Sequence, residues 1–186
     1  DPALFADERD PHPYTSADAK RFIHHLTRRL GLDDQYIQAG HDVEALDVVR
    51  ELADMGAQEV SLIGGEAYQR DDWHRIARAI HDAGMIASMV TGGRGFTRQR
   101  AALAAEARID SVSVSIDGLR DAHDLQRGLP GSFDAALAAL RHLREAGVAV
   151  SANSQHNRLS FPDLDGLLDL LGEAGAHGWQ VAMTVP

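Results

Sequence analysis

Apolar residues recur with helical spacing in five segments of the chain, and a short strand-like run follows each segment. The helical segments begin at polar residues that favour helix N-termini and end at or beside alanine or glycine. The predicted N-caps are Asp42, Asp71 or Asp72, Thr97, Ser132 and Ser160. The predicted strands are residues 59 to 63, 85 to 90, 110 to 115, 148 to 153 and 179 to 185.

Strands that alternate with helices are joined by right-handed crossovers and lie parallel in one sheet. We therefore predict that the five strands are parallel neighbours in sequence order. This pattern fits both a (β/α) barrel and an open doubly wound sheet, and periodicity alone does not choose between them. Either way, the fold class is α/β.

The first 40 residues do not share this pattern. Residues 1 to 14 are polar, contain three prolines and are typical of an arm or linker. A helix is predicted from Thr15, with Asp18 in a capping-box position, to Gly31. The alternating helix and strand pattern begins only at Gly40 and His41. The sequence therefore predicts an N-terminal arm and helix over residues 1–40 and an α/β part over residues 41–186.

The charge of the chain restricts its partners. Eighteen basic and 28 acidic residues give a net charge of −10, which opposes the phosphate contacts that nucleic-acid binding needs. No stretch approaches the roughly 20 consecutive apolar residues of a membrane span, and no secretory signal is visible. We therefore expect no nucleic-acid or membrane partner and a cytoplasmic location.

The chain contains no cysteine, which excludes disulfides, thiolate zinc sites, cysteine nucleophiles and cysteine-held iron–sulfur clusters within these 186 residues. The ten histidines do not form a metal motif either. His74 and His81 are seven residues apart on one predicted helix, and no HExxH sequence occurs. No metal ligands are therefore predicted.

Ligands of parallel α/β folds bind where strands end, and the first strand end here is glycine-rich. Gly64 and Gly65 would let a ligand approach the backbone, and Glu66 could accept hydrogen bonds from an ammonium group. The same three residues also suit a tight turn with a solvated glutamate. Both interpretations remain open at this point.

Polar residues follow the later strands as well. Ser115 and Asp117 suit the hydroxyls of a ribose, although an Asp-Gly pair is equally typical of a turn. Arg127 could bind a carboxylate or phosphate, or could be a surface arginine of a loop before Ser132. His123 and His156 are predicted in strand-end loops, where they could contact a substrate.

The order of these segments is more specific than any one of them: VSLIGGEAY, TGGRG, SVSVSIDG with HDLQRG and GSF, and VSANSQHNR. Over residues 41–186 the chain resembles the radical S-adenosylmethionine (SAM) superfamily, closest to the branch that modifies peptides or matures other enzymes. The resemblance implies a partial (βα)6 barrel that contains the second to sixth strands. It also implies SAM as cofactor, a 4Fe-4S cluster, and a 5′-deoxyadenosyl radical that acts on a peptide or small molecule.

The resemblance also assigns roles to residues. The GGE turn, residues 64–66, would bind the methionine amino group of SAM. Ser115 and Asp117 would approach its ribose, and Arg127 would meet its methionine carboxylate. Asn153 would line the cofactor from the fifth strand of the family's barrel.

Two departures from the family pattern matter. The CxxxCxxC loop whose three thiolates hold the cluster would fall before His41, and the usual GGEP is GGEA. A degenerate, non-catalytic relative or binding module is therefore the alternative function. A third hypothesis is a barrel lyase or hydrolase that uses Glu66 and Asp117 with His123 or His156. Residues 14–40 resemble a helical segment of large transglutaminase-associated bacterial proteins.

Overall fold

The computed structural model of the chain describes residues 42–183, with side chains from Ala45 onward. The predicted arm and helix of residues 1–40, their likeness to transglutaminase-associated proteins, and the last residues of the fifth predicted strand lie outside this range. Residues 46–183 belong to one compact unit. The α-helices in the described range are α1 (Asp42–Asp54), α2 (Trp73–Asp82), α3 (Arg98–Glu106), α4 (Arg120–Arg127), α5 (Ser132–Glu145) and α6 (Leu164–Glu173).

The strands form one sheet in which each strand pairs in parallel with the next along the chain, in the order β1-β2-β3-β4-β5. This confirms the predicted parallel arrangement in sequence order. Two 3₁₀ turns, Ala67–Gln69 and Phe161–Asp163, follow β1 and β4. The strands are β1 (Glu59–Leu62), β2 (Ile86–Thr91), β3 (Ser111–Ser115), β4 (Ala149–His156) and β5 (Trp179–Met183).

The two faces of the sheet differ in polarity. On one face, side chains such as Val112, Val114 and Val150 pack with helix residues that include Leu140 and Leu143 in the main core. The other face carries mostly serine, glutamine and asparagine, because apolar and polar residues alternate along β3 and along most of β4. A cavity of about 400 Å³ lies over this face, lined partly by Glu59, Ser61, Ser88, Ser111, Ser113, Ser151 and Gln180.

Two elements differ from the prediction. β4 continues to His156, so that residues 154–156 belong to the strand rather than to the loop after it. The segment that contains His123 and Arg127 is the helix α4 and not a loop. Its short polar sequence, RDAHDLQR, has no apolar stripe from which a helix could be predicted.

Two predicted helix caps also differ. Ser132 is the first residue of α5 rather than its N-cap, and its hydroxyl donates to Asp124. Ser160 precedes a 3₁₀ turn and makes no side-chain capping bond to the helix that follows. Thr97 caps α3 as predicted, since its hydroxyl oxygen accepts from the backbone N–H of Arg100 at 3.3 Å. Asp124 lies on α4, eight residues before Ser132, and the hydroxyl oxygen of Ser160 accepts from the backbone N–H of Asn157 at 3.2 Å.

The turn after β2 lies very close to α5. Gly93 has φ +81°, and a Cβ atom built there would lie 2.8 Å from Cα of Ala136 and 3.0 Å from Cβ of Ala139. Both the conformation and the space therefore require glycine. None of the helices between residues 42 and 183 is long and apolar enough to cross a membrane.

Candidate functional site

A polar cavity of about 500 Å³ lies at the ends of β3 and β4, beside α4. Four of the seven residues predicted for a cofactor site, Ser115, Asp117, Arg127 and Asn153, line it together. They come from three elements and from positions up to 38 residues apart, so only the parallel pairing of β3 and β4 brings them together. The full lining is Ser115, Asp117, Gln126, Arg127, Asn153, Ser154, Gln155, Gln180 and Ala182.

Asp117 is the most enclosed charged group of this cavity. Its carboxylate accepts from Nε of Arg127 at 2.6 Å through Oδ2 and from the backbone N–H of Gln155 at 2.9 Å through Oδ1. Its side chain is 3% exposed, whereas that of Arg127 is 37% exposed. The buried carboxylate therefore anchors a guanidinium whose Nη1 and Nη2 have no partner in the described part of the chain.

His123 holds the same aspartate from the other side. Its Nδ1 accepts the backbone N–H of Asp117 at 3.0 Å, and the residue is 1% exposed. Burial lowers the pKa of His123 below its ordinary value of 6.5. This buried position corrects the expectation that His123 stands in an open loop where it could contact a substrate.

Ser115 and Asn153 are paired neighbours of β3 and β4 in the polar face of the sheet. Unlike Asp117, neither side chain has a hydrogen-bond partner among residues 45–183. Their hydroxyl and carboxamide groups can both donate and accept, so they are available to a ligand without the loss of a contact in the protein.

Three carboxamides in the cavity wall were missed by the sequence analysis. Gln155 and Gln180 lie on β4 and β5, and Gln126 lies on α4, where its Nε2 donates to the carbonyl of Gln155 at 2.8 Å. Asn157 Nδ2 in turn donates to Oε1 of Gln126 at 3.0 Å. The alternation of polar residues along β4 was a visible signal for Gln155, but nothing in the sequence pointed to Gln126.

The GGE turn after β1 does not line this cavity. Gly64 and Gly65 have φ values of 90° and 52°, and nothing lies within 4 Å of a Cβ built at either residue. Glu66 accepts from the hydroxyl of Thr91 at 2.6 Å and from the backbone N–H of Gly92 at 3.0 Å. The glutamate therefore fastens the turn after β1 to the turn after β2.

An aromatic pair supports these two turns. Tyr68 packs edge-on against Phe96, and its hydroxyl donates to the carbonyl of Arg94 at 2.6 Å. Burial is the main cause that raises the pKa of Tyr68 to about 12. The guanidinium of Arg100 lies 4.7 Å from the centre of the Tyr68 ring. The GGEAY and TGGRG segments thus form one hydrogen-bonded rim at the ends of β1 and β2, beside the strands that line the cavity.

His156, the other histidine predicted to contact a substrate, is completely buried at the end of β4. It faces the helix side of the sheet, with its ring 5.9 Å from that of Trp179. Neither ring nitrogen has a hydrogen-bond partner among the described residues. The structure therefore corrects its predicted position in an open loop. Across the described side chains, no group of three or more His, Asp or Glu residues could hold a metal ion.

The sequence is similar to a known protein family and to several of its characterised members. The radical SAM superfamily model matches residues 35–175. Fe-coproporphyrin III synthase of Methanosarcina barkeri is 33% identical over 130 residues, 70% of this chain and 33% of that protein. PqqA peptide cyclase of Ruegeria pomeroyi is 29% identical over 133 residues, 71% of this chain and 36% of that protein. The chain therefore spans about a third of the length of these two relatives.

The fold is also similar to that of Streptococcus suis SuiB. The SuiB structure bound to S-adenosylmethionine matches with a TM-score of 0.65 and 18% identity, over 76% of this chain and 33% of SuiB. The structure bound to the precursor peptide SuiA matches with a TM-score of 0.64, over 75% of this chain and 32% of SuiB. The likeness in structure extends to the parallel sheet with its helices, and the family model covers more than half of the sequence. The chain belongs to the radical SAM superfamily.

Proposed function

We propose that the cavity between β3, β4 and α4 binds the nucleoside part of S-adenosylmethionine. In its complete form, the protein would be a radical SAM enzyme that modifies a peptide or a small molecule. The observation that carries this proposal is the convergence of Ser115, Asp117, Arg127 and Asn153 on one polar cavity. The sequence and its resemblance to the family predict the same four residues as cofactor contacts.

The residues present fit a polar nucleoside cofactor. The cavity volume of about 500 Å³ lies within the range of roughly 300–1,000 Å³ that small-molecule sites occupy. The Ser115 hydroxyl and the Asn153 carboxamide can meet ribose hydroxyls or a nucleobase edge. The outer nitrogens of Arg127 can bind an acceptor oxygen of the ligand within the cavity, such as a ribose hydroxyl, since Asp117 holds only its Nε.

The GGE turn would hold the other end of an elongated ligand. Strands in a sheet are about 4.8 Å apart, so the ends of β1 and β3 are separated by about 10 Å. A ligand that reaches across β2 could thus place its amino group beside residues 64–66 and its ribose in the cavity. The open space around Gly64 and Gly65 supports this arrangement.

The iron–sulfur cluster does not fit the residues of this chain. The cluster of related enzymes supplies the electron that cleaves S-adenosylmethionine, and three cysteine thiolates hold it. The 186 residues contain no cysteine. Histidine and aspartate can hold iron in some clusters, but the described side chains include no suitable group. We therefore assign no cluster ligands and no reaction step to these residues.

The names of similar proteins support a proposal for the substrate class. One curated relative is named as a cyclase of the PqqA peptide, SuiB was solved with its precursor peptide, and another relative is named for an iron coproporphyrin. A peptide or a tetrapyrrole-like small molecule is thus the proposed substrate of the complete protein.

Calorimetric titration with S-adenosylmethionine and S-adenosylhomocysteine tests the cofactor site. Asn153→Leu removes a polar group that has no partner in the described part of the protein, and we expect about tenfold weaker binding. Ser115→Ala should weaken binding a few-fold. Ser151→Ala is the matched control because Ser151 lies on the same face of β4 but outside this cavity, and its affinity should stay within about twofold of the parent.

Glu66→Ala and Asp117→Ala should also weaken binding, although each removes contacts that hold a turn. Their thermal unfolding is therefore measured alongside, and Glu66→Gln, which keeps an acceptor oxygen for Thr91 or Gly92, separates the two effects. Absence of saturable binding of both compounds by the parent chain, or unchanged affinity in Asn153→Leu, would contradict the proposed site.

The lack of cysteine favours a second candidate, a nucleoside-binding relative without radical chemistry. Anaerobic reconstitution with iron, sulfide, reductant and S-adenosylmethionine distinguishes the two, with chromatography for 5′-deoxyadenosine as the readout. We expect none from this chain as given. Formation of 5′-deoxyadenosine only after a CxxxCxxC loop is placed before His41 would support the radical SAM enzyme, whereas nucleoside binding without any turnover would support the second candidate.

A further inference from the structure

Two residues of the short helix α4, His123 and Arg127, form hydrogen bonds with Asp117 in the loop after β3. His123 and Arg127 are four residues apart and therefore lie on one face of the helix. We propose that His123 is a positioning residue for the Asp117–Arg127 pair, and that only its neutral form holds the pair in the geometry that binds the nucleoside. This inference rests on the proposed function of the cavity.

Three separate contacts fix Asp117. Its backbone N–H donates to Nδ1 of His123 at 3.0 Å, its Oδ2 accepts from Arg127, and its Oδ1 accepts from the backbone of Gln155. The histidine contact is the one that acts on the main chain. It therefore sets the direction in which the side chain of Asp117 leaves the loop, and with it the position of Arg127.

The donor in the His123 contact is a backbone amide, which settles the tautomer. A nitrogen that accepts from an N–H group carries no hydrogen itself, so the imidazole is neutral with its hydrogen on Nε2. Addition of a proton would place two N–H groups against each other and break the contact. Burial of His123, which lowers its pKa, keeps the imidazole neutral at neutral pH.

The ring has little freedom to turn away. It is 1% exposed and packs edge-on against Phe133, with 6.0 Å between the ring centres. Phe133 is in turn fixed because Asp124 accepts from the backbone N–H groups of Phe133 at 2.8 Å and of Gly131 at 2.6 Å. Phe133, in the first turn of α5, thus packs against the His123 ring and limits its rotation.

The charged groups that act on His123 are few. Asp117 on the loop after β3 and Asp124 on α4 favour its protonated form, whereas Arg127 on α4 disfavours it. The neighbour from α5, Phe133, is uncharged. Loss of water around the ring outweighs the two carboxylates, so the affinity of the cavity should fall only when the pH drops below the ordinary range of a histidine.

Two substitutions separate positioning from packing. His123→Leu removes the acceptor and keeps an apolar side chain against Phe133. His123→Asn places its Oδ1 close to where Nδ1 lies in the parent, so it should restore the acceptor without a group that titrates in this range. Binding of S-adenosylhomocysteine is measured for the parent and both variants by calorimetry between about pH 5 and pH 8.

We expect His123→Leu to bind about tenfold more weakly at neutral pH and His123→Asn to stay within about threefold of the parent. The affinity of the parent should fall in acid, whereas that of His123→Asn should not. Equal affinity of His123→Leu and the parent, or the same acid-dependent fall in His123→Asn, would overturn the proposal. If His123→Leu does not fold, the pH profiles of the other two proteins decide the question.

A parent chain that binds no S-adenosylhomocysteine at any pH would contradict the proposed function instead. The positioning role is then decided without ligand by the amide resonance of Asp117 in ¹⁵N-labelled protein. It should shift as His123 takes up a proton, shift in His123→Leu, and remain near its original position in His123→Asn. An Asp117 resonance that is unchanged in His123→Leu would overturn the positioning role.

Discussion

Nε of Arg127 donates to Oδ2 of Asp117 at 2.6 Å, so an almost completely buried carboxylate holds a guanidinium that is partly exposed in the cavity. The sequence motifs assign these two residues to different parts of a ligand, the ribose and the methionine carboxylate. In the structure they are one hydrogen-bonded pair. A change at either residue therefore affects both the site and the stability of the fold.

The first prediction concerns this pair. Arg127→Met leaves the buried carboxylate of Asp117 without its charged partner, and we expect the free energy of unfolding to fall by about 1–3 kcal/mol. Arg120→Met on the same helix is the control, because the Arg120–Asp134 pair is more than half exposed on both sides and should contribute little. Urea unfolding of both variants measures the difference. Equal losses of unfolding free energy in Arg127→Met and Arg120→Met would show that the burial of Asp117 does not strengthen its pair with Arg127.

The second prediction concerns Gly93. Gly93→Ala forces a side chain into a left-handed conformation and against the backbone of α5, and we expect a loss of about 2–4 kcal/mol in the free energy of unfolding. Gly172→Ala is the control. Gly172 lies in the last turn of α6 with open space around it, so alanine should stabilise the helix by up to about 0.5–1 kcal/mol. The midpoints of both thermal and urea unfolding should fall in Gly93→Ala and rise in Gly172→Ala.

The third prediction concerns Asp124, which accepts from the backbone of Gly131 and Phe133 and from the hydroxyl of Ser132. The backbone hydrogen bonds from Phe133 and Gly131 lower the pKa of Asp124 below its ordinary value of 3.8. The Asp124 carboxylate therefore contributes fully to stability at pH values above its ordinary pKa of 3.8, and this contribution is lost as the pH falls through the lowered pKa of the folded state. Asp124→Ala should lower the urea midpoint at neutral pH, whereas Asp121→Ala, an exposed neighbour, should change it little.

The fourth prediction concerns the pH dependence that His123 imposes on folding. Above its ordinary pKa of 6.5 the imidazole is neutral in both the folded and the unfolded chain, so protonation of His123 does not change the free energy of unfolding in this range. Below 6.5 the unfolded chain takes up a proton first, and the free energy of unfolding falls until the pH reaches the lowered pKa of the folded state. The difference between the parent and His123→Asn in urea unfolding isolates this effect from the other histidines. A constant difference across the pH range would refute it.

Local sequence determined the positions of the strands and their parallel direction. The change from helical to strand-like periodicity marks each unit, and a strand that follows a helical crossover lies parallel to the strand before it. The prediction that neighbours follow sequence order was confirmed by the pairing of the strands. Ser115 and Asp117 could be chosen because strand ends of such sheets share one edge. Arg127 was chosen for its guanidinium, and the family resemblance alone pointed to Asn153. Their specific roles as cofactor ligands remain predictions.

Tertiary structure decided what each polar group contacts. The helix α4 carries no apolar stripe and is held in place by His123, Asp124 and Arg127, whose partners lie on other elements. Ser132 is not a cap because the carboxylate of Asp124, eight residues earlier, takes the capping position. Periodicity records only how a residue faces its own helix or strand. The partner of a buried hydrogen-bonding group depends on which distant segment packs beside it, and that is fixed only when the whole sheet and its helices assemble.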